Sequence, residues 1–514
     1  MSAPDLHEQL DTTHQLLAQW SESASSPDPL DSSQDNLIRA LDLLTKTLGA
    51  SMEAREQSGQ CLEWWGNLQW VLEGCLGRFE HGTIKQDSVN WTILCSIFRT
   101  IRNSTAGSPA AQTACICSGT TLAMMNLIDP VATSSSPEAR LTLRILGQAL
   151  ANALMGPTED QLDLLGQATF KGYIIPLIRS EDDKTLTSAL TLLIKALRDE
   201  STEEDASRKR LSKILIESEN GRLLLRCILQ RTEGLFDDET SGNFHLSFQM
   251  ISLLIDQGIL PSLLDLTNHS SRILPERISL LKFLDGKLHQ EGTQPSLPLS
   301  SILSLTLTTL PVLQDLERIL QSYESLDEDE KRSVSFLYTA TILYLQCLGH
   351  VTQVNQRALW SSTFRDTELL PLLVRLLGTA EFTLERLHKA PSSSQEALQA
   401  GDSMAGFAYL KRDLTRLLGN LTCGSREVQD RLRELEALPL LLAQCNVDDR
   451  NPYIREYAVL ALRHALEGNM ANQAIIEELR PVGAAQHPVL EEMGLRTDLD
   501  PVTGQPRISR KEMP

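Results

Sequence analysis

The chain has 514 residues, too many for one compact core, so it must divide into domains or stack repeats. Its net charge of −20 opposes phosphate backbones and argues against nucleic acid as a partner. Aromatic residues make up only 5% while leucine recurs throughout, a composition that suits helix-on-helix packing.

In chain order, residues 1–35 open with a short helical pattern and run into SESASSPDPLDSSQD (Ser21–Asp35), polar and poor in apolar side chains. This predicts a largely disordered N-terminal segment. Met1–Trp20 has neither a basic start nor an apolar stretch, so no signal peptide is expected. No run of 18 apolar residues occurs anywhere, so no transmembrane segment is expected either. The nine scattered cysteines, among them Cys95, Cys227 and Cys347, read as small buried side chains in a reducing, cytoplasmic setting.

An amphipathic pattern begins at Leu37, Ile38, Leu41 and Leu44 and opens N-terminal armadillo-like repeats over 36–270. Trp64, Trp65 and Trp70 are expected to plug the open end, because a terminal repeat must cover a bare face. The helical units then show two recurring signals. Asn103, Gly107 and Gln112 are spaced like Asn152, Gly156 and Gln161, and like Asn420, Gly424 and Gln429. Glycine just past an apolar-periodic helix is the usual left-handed stop. The second signal is a proline at a helix opening: Pro176, Pro261, Pro371 and Pro439. Together they give a three-helix cycle of roughly 40–50 residues. The expected fold class is therefore all-α, an armadillo/HEAT-like helical solenoid.

Residues 271–403 continue as less regular helical repeats, with a flexible insertion expected at 386–403. The terminal unit, 404–496, shows the repeat best. Shifted by 44 residues, Leu418 falls on Leu462, Asn420 on His464, Gly424 on Gly468 and Gln429 on Gln473. Residues 497–514 read as a tail containing a short turn.

The search for chemistry yields little. No phosphate-cradling glycine loop, zinc-binding His-Glu-x-x-His helix or nucleophile elbow is present. Cys115 and Cys117 with Met124 and Met125 resemble a soft-metal set, but lack paired spacing and a histidine, and read as a buried helix face. Asp448, Asp449, Asn451 and Pro452 read as a turn and helix start rather than a calcium loop. No catalytic, cofactor or metal site is expected, and the chain reads as a non-enzyme. Ser26, Ser108 and Ser136 precede proline and read as candidate phosphorylation sites.

One constellation carries a binding hypothesis. If the Asn-bearing helices stack, Asn103, Asn152 and Asn420, with His464, form polar ladders. In armadillo-like folds the long helix of each unit lines the concave surface, where an amide can clamp a partner's extended backbone. The alternative is that each Asn caps or bridges neighbouring helix ends. In the terminal unit, Asn420, Arg455, Arg463 or His464 are expected toward the groove, and Leu418, Val459 and Leu462 toward the core.

The terminal stretch resembles the ataxin-10 family. The matching residues are RLLGNLT (Arg416–Thr422), VQD (Val428–Asp430), LPLLL (Leu438–Leu442), CNVDDRNPYIREYAVLALR (Cys445–Arg463) and EGNMANQ (Glu467–Gln473). His464 stands where the family usually has Asn, and Tyr457 where Trp is common. The resemblance implies an armadillo-like, non-enzymatic cytoplasmic protein linked to cytokinesis and cell survival through protein partners. A homo-oligomer is also among the expected assemblies. Some fungal relatives carry a copper-transport name, for which the sequence offers no ligand set. A peptide-reading transport adaptor is the second reading. Against it, such adaptors place Trp four residues before each groove Asn, and here those positions are Arg99, Gln148 and Arg416.

Overall fold

The computed structural model describes residues 5–23, 32–80, 91–155, 159–198, 205–236, 238–268, 273–292, 297–323, 328–353, 364–386, 407–478, 490, 493–500 and 506–510. The chain is all-α among these residues, save one short pair of strands. It divides into two units, Met1–Lys287 with Ser296–Ser304 and Leu288–Pro295 with Leu305–Pro514. The division falls later than residue 270, the boundary expected from sequence.

The first unit begins with α1 (Leu6–Ser23), α2 (Ser32–Ala50), α3 (Met52–Gln60), α4 (Leu62–Glu80), α5 (Trp91–Thr105), α6 (Pro109–Cys117), α7 (Thr120–Asn126), α8 (Ile128–Ala132) and α9 (Pro137–Ala153). It continues through α10 (Glu159–Lys171), α11 (Ile175–Arg179), α12 (Asp183–Leu197), α13 (Asp205–Glu217), α14 (Glu219–Glu233), α15 (Gly242–Asp256) and α16 (Leu260–Leu266). The long helices α2, α5, α9, α12 and α15 stack side by side as one layer. The shorter helices pair between repeats, α3 on α6 and α10 on α13. Leu41, Leu44, Phe98, Leu146 and Leu190 are wholly buried in this stack, each worth about 1.5–3 kcal/mol relative to exposure. Where α3 crosses α6 there is no room for a side chain: a Cβ on Gly59 would lie 2.4 Å from the Ala111 nitrogen.

Two helices, α17 (Pro275–Glu291) and α18 (Leu299–Ser322), lie at the division. The second unit then holds α19 (Glu328–Val351), α20 (Leu369–Thr383), α21 (Leu410–Thr422), α22 (Arg426–Glu434), α23 (Ala437–Ala443), α24 (Ile454–Leu466) and α25 (Met470–Glu478). Here α19, α21 and α24 stack in turn. The 44-residue repeat extends to the backbone. Tyr409 and Tyr453, 44 apart, precede α21 and α24 and both take left-handed φ, 72° and 64°, a conformation that costs an L-residue roughly 1–2 kcal/mol. The two helices approach closely: a Cβ on Gly419 of α21 would come within 3.1 Å of Ala461 Cβ on α24.

A buried ionic cluster ties this unit together. Lys411 is 1% exposed and donates to Leu384 O at 2.9 Å and Glu381 Oε2 at 3.3 Å, with Asp448 Oδ2 at 3.5 Å. Asp448 accepts from Asn451 Nδ2, and Asn451 Oδ1 accepts from Arg412 N. The Asp448–Asn451 turn is thus pinned to the start of α21 by charge that survives burial because it is paired.

Several expectations need correction. Leu6–Ser23, read as part of a largely disordered segment, is an 18-residue helix with Leu10 and Leu17 buried. Of the three tryptophans, Trp64 and Trp65 are buried but Trp70 is 48% exposed. Ser108 is fully buried, its hydroxyl accepting from Ala111 N as the cap of α6, and Ser136 caps α9 in the same way. Burial keeps the Ser108 hydroxyl from solvent, Ser136 is half-buried, and Ser26 lies outside the described residues. The tail expected at 497–514 contains strand instead: β1 (Leu495–Leu499) pairs antiparallel with β2 (Pro506–Arg510), Leu495 opposite Arg510. The insertion expected at 386–403 lies, except for Arg386, outside the described residues. By length and composition alone, Leu299–Ser322 and Val334–Val351 are apolar enough to cross a membrane, contrary to the expectation that no segment is, with 44% and 56% of each window buried inside the protein.

Candidate functional site

The predicted ladder exists, and its contacts run sideways. Asn103 on α5 donates its amide to Thr45 O of α2 at 3.0 Å. Asn152 on α9 donates to Arg102 O of α5 at 2.9 Å. Asn420 on α21 donates to Gly349 O of α19 at 3.0 Å and to Thr352 Oγ1 at 3.2 Å. His464 Nδ1 on α24 lies 3.0 Å from Gly419 O of α21, a contact that puts the ring proton on Nδ1. Each acceptor sits one residue before the ladder position of the preceding helix. Those positions are Lys46, Asn103, His350 and Asn420, so Lys46 and His350 stand at ladder positions that sequence reading missed.

The residues after each rung complete the joint. Four positions on, Gly107, Gly424 and Gly468 take left-handed φ of 70°, 64° and 65°. Five positions on, Ser108, Ser425 and Asn469 accept the first-turn N–H of the next helix. Nine positions on, the glutamine reaches helix-end carbonyls that have no intrahelical partner. Gln112 donates to Thr105 O and Asn152 O, both at 3.0 Å. Gln429 donates to His464 O at 2.8 Å and Glu467 O at 3.2 Å. Gln161 and Gln473 reach Ala153 O and Leu466 O. The first repeat builds the same joint from other residues: Ser51 caps α3, and Arg55 donates to Ala106 O.

Of the two readings of the Asn residues, bridging between neighbouring helices describes these contacts. All four rungs are half-buried. Arg455 and Arg463 do face solvent. Val459, expected in the core, shares that open side at 54% exposed, next to Leu460 at 42%. The reason is position in the stack. α24 packs on α21 with Ala461 against Gly419, and among the described residues no further long helix follows to cover its other side.

The Cys115 thiol is wholly buried and accepts from Thr121 Oγ1. Burial pushes its pKa up to about 12, so it is held as the neutral thiol. Met124 and Met125 are buried beside it in sequence, while Cys117 is exposed.

A solvent-reached strip does exist on the long-helix layer. α5 is buried along its length except at Thr92, Arg99, Arg102 and Asn103. Arg102 donates to Gln148 Oε1 of α9 at 2.9 Å and, through Nε and a terminal nitrogen, to Asn103 Oδ1 at 3.1 and 3.0 Å. Arg144, one turn before Gln148, is held by Asp182, its Nε 2.9 Å from Oδ2.

This arrangement is that of a helical-repeat protein whose long helices are locked together by a recurring Asn/Gly/Gln joint. Residues 410–509 match the model of the spinocerebellar ataxia type 10 protein domain, which identifies the C-terminal repeats as the domain of the ataxin-10 family. Ataxin-10 of Xenopus tropicalis is 28% identical over 238 residues, 44% of this chain and 46% of that protein. The ataxin-10 homolog of Kluyveromyces lactis is 26% identical over 350 residues, 66% of this chain and 58% of that one. The matches thus span about half the length of these relatives. A solved chain from work on the phosphorylation-controlled interaction of cadherin with beta-catenin is 12% identical, with a TM-score of 0.34 over 88% of this chain and 76% of that one.

Proposed function

We propose that the chain is a non-enzymatic, cytoplasmic scaffold of ataxin-10 type that takes part in cytokinesis by holding protein partners, further copies of itself among them. The observation that supports this reading is the joint itself. The buried ionic and amide groups are consumed in fixing one repeat against the next, which yields a rigid surface rather than a reactive pocket. The peptide-reading adaptor has less support, because the ladder amides that would clamp a peptide backbone are already bound to neighbouring carbonyls. The test is depletion of the protein in dividing cells, scored by the fraction of binucleate cells. A rise reversed by re-expression supports the reading, and an unchanged fraction after complete depletion overturns it.

A further inference from the structure

The strip on α5 is basic in a protein whose net charge is −20. Arg99 has no hydrogen-bond or ion-pair partner among the described residues, and Arg102 has only the neutral oxygens of Asn103 and Gln148. A guanidinium offers five N–H donors in a planar fork. Three bonds are made by Arg102, which leaves one N–H on each terminal nitrogen, the pair a carboxylate takes side by side. Nothing on the helix offsets the charge, since α5 carries no Asp or Glu. Burial, and then the like charge of Arg99, lower the Arg102 pKa from its ordinary value, as expected for a cation packed beside another without an anion. On α2, Lys46 is an exposed neighbour of the Asn103 bridge, and Asp42 is the carboxylate whose field reaches Cys95 together with both arginines. Asp42 forms no ion pair with either arginine among the described residues.

We propose that the α2–α5–α9 face is a docking site for an extended acidic peptide segment, with Arg99 and Arg102 receiving its carboxylates. This deepens the scaffold reading and rests on it for the kind of partner, but its test needs no cell-division phenotype. Charge complementarity selects the occupant: two guanidinium groups lacking an anion, flanked by Lys46 and by the Gln148 amide, match glutamate or aspartate side chains at successive positions. The rungs fix α5 against α2 and α9, so the backbone that carries both arginines is already ordered before binding.

The experiment uses the full chain and fluorescence anisotropy of a fluorescein-labelled peptide of alternating glutamate and serine, with a lysine–serine peptide as control. Saturable binding of the acidic peptide alone is expected, weakening with salt. It should weaken about tenfold or more in Arg99→Gln/Arg102→Gln, as two charge-assisted contacts are lost. Arg99→Gln alone removes no hydrogen bond of the folded chain and should weaken binding while leaving the melting curve unchanged. Arg431→Gln, on exposed α22, should bind as wild type. Equal binding by the Arg99→Gln and wild-type chains overturns the proposal, as does the absence of saturable binding to wild type. Tighter binding of single-stranded RNA at the same two arginines also overturns it.

Discussion

Replacing Gln429 with Ala tests the joint between the last two repeats. Gln429 is 4% exposed, and its amide holds the carbonyls of His464 and Glu467, while its Oε1 accepts from Asn469 at 3.3 Å. Losing the two bonds from the amide costs about 1 kcal/mol each, Asn469 Nδ2 keeps its bond to Asp430 Oδ1, and the half-buried His464 carbonyl, left without a partner, adds about 1–2 kcal/mol. Glu467 is exposed, so water replaces the bond to its carbonyl and adds no further penalty. The total, about 3–4 kcal/mol, should fall on α24 and α25, because repeats contact mainly their neighbours. Hydrogen exchange of the full chain reads this directly. At 1.36 kcal/mol per tenfold, α24 amides that exchange by local opening should speed up by about a hundredfold or more. Peptides of α5 and α9 should be unchanged. Wild-type exchange in α24 would refute the role given to the glutamine, and equal acceleration in α5 would refute its locality.

Further outcomes follow from the second unit. Lys411→Met should destabilise it by about 3–5 kcal/mol, because Glu381 and Asp448 lose the buried cation they share; a lowered thermal transition checks this. Leu418→Asp, at a wholly buried position of α21, should melt the terminal repeats first, seen as loss of helical circular dichroism at a lower temperature than wild type. Burial raises the Glu381 pKa, but the hydrogen bond from Arg386 and the charges of Lys411 and Arg386 outweigh it, so the folded value lies below the ordinary 4.5. The stability this contributes is complete above 4.5 and is lost as pH falls through the folded value. Arg386→Gln should therefore lower stability at neutral pH and flatten its acid dependence, as read from urea unfolding at stepped pH.

The repeat was legible in the sequence because the spacing of Asn, Gly and Gln is set by one helix end and one turn, which local chemistry dictates. The destination of the Asn side chain was not, because its acceptor belongs to another repeat, a full cycle away in sequence. The first joint went unread for a related reason: Lys46, Ser51 and Arg55 make the same contacts with different side chains. Val459 was misplaced because helical periodicity gives faces, and only the end of the stack decides which face stays bare. The strands β1 and β2 are five residues each, too short for alternation to stand out on either side of Pro501 and Gly504. Arg99 was noted only as a departure from a tryptophan pattern and Arg102 not at all, since the lack of an ion-pairing carboxylate is visible only once α2 and α9 are packed against α5.

The most direct test of the account is rescue in dividing cells depleted of the protein, comparing wild type, Arg99→Glu/Arg102→Glu and Arg431→Glu, each first shown to be folded and equally abundant. The account predicts that wild type and Arg431→Glu restore mononucleate cells while Arg99→Glu/Arg102→Glu does not. Full rescue by Arg99→Glu/Arg102→Glu would contradict it.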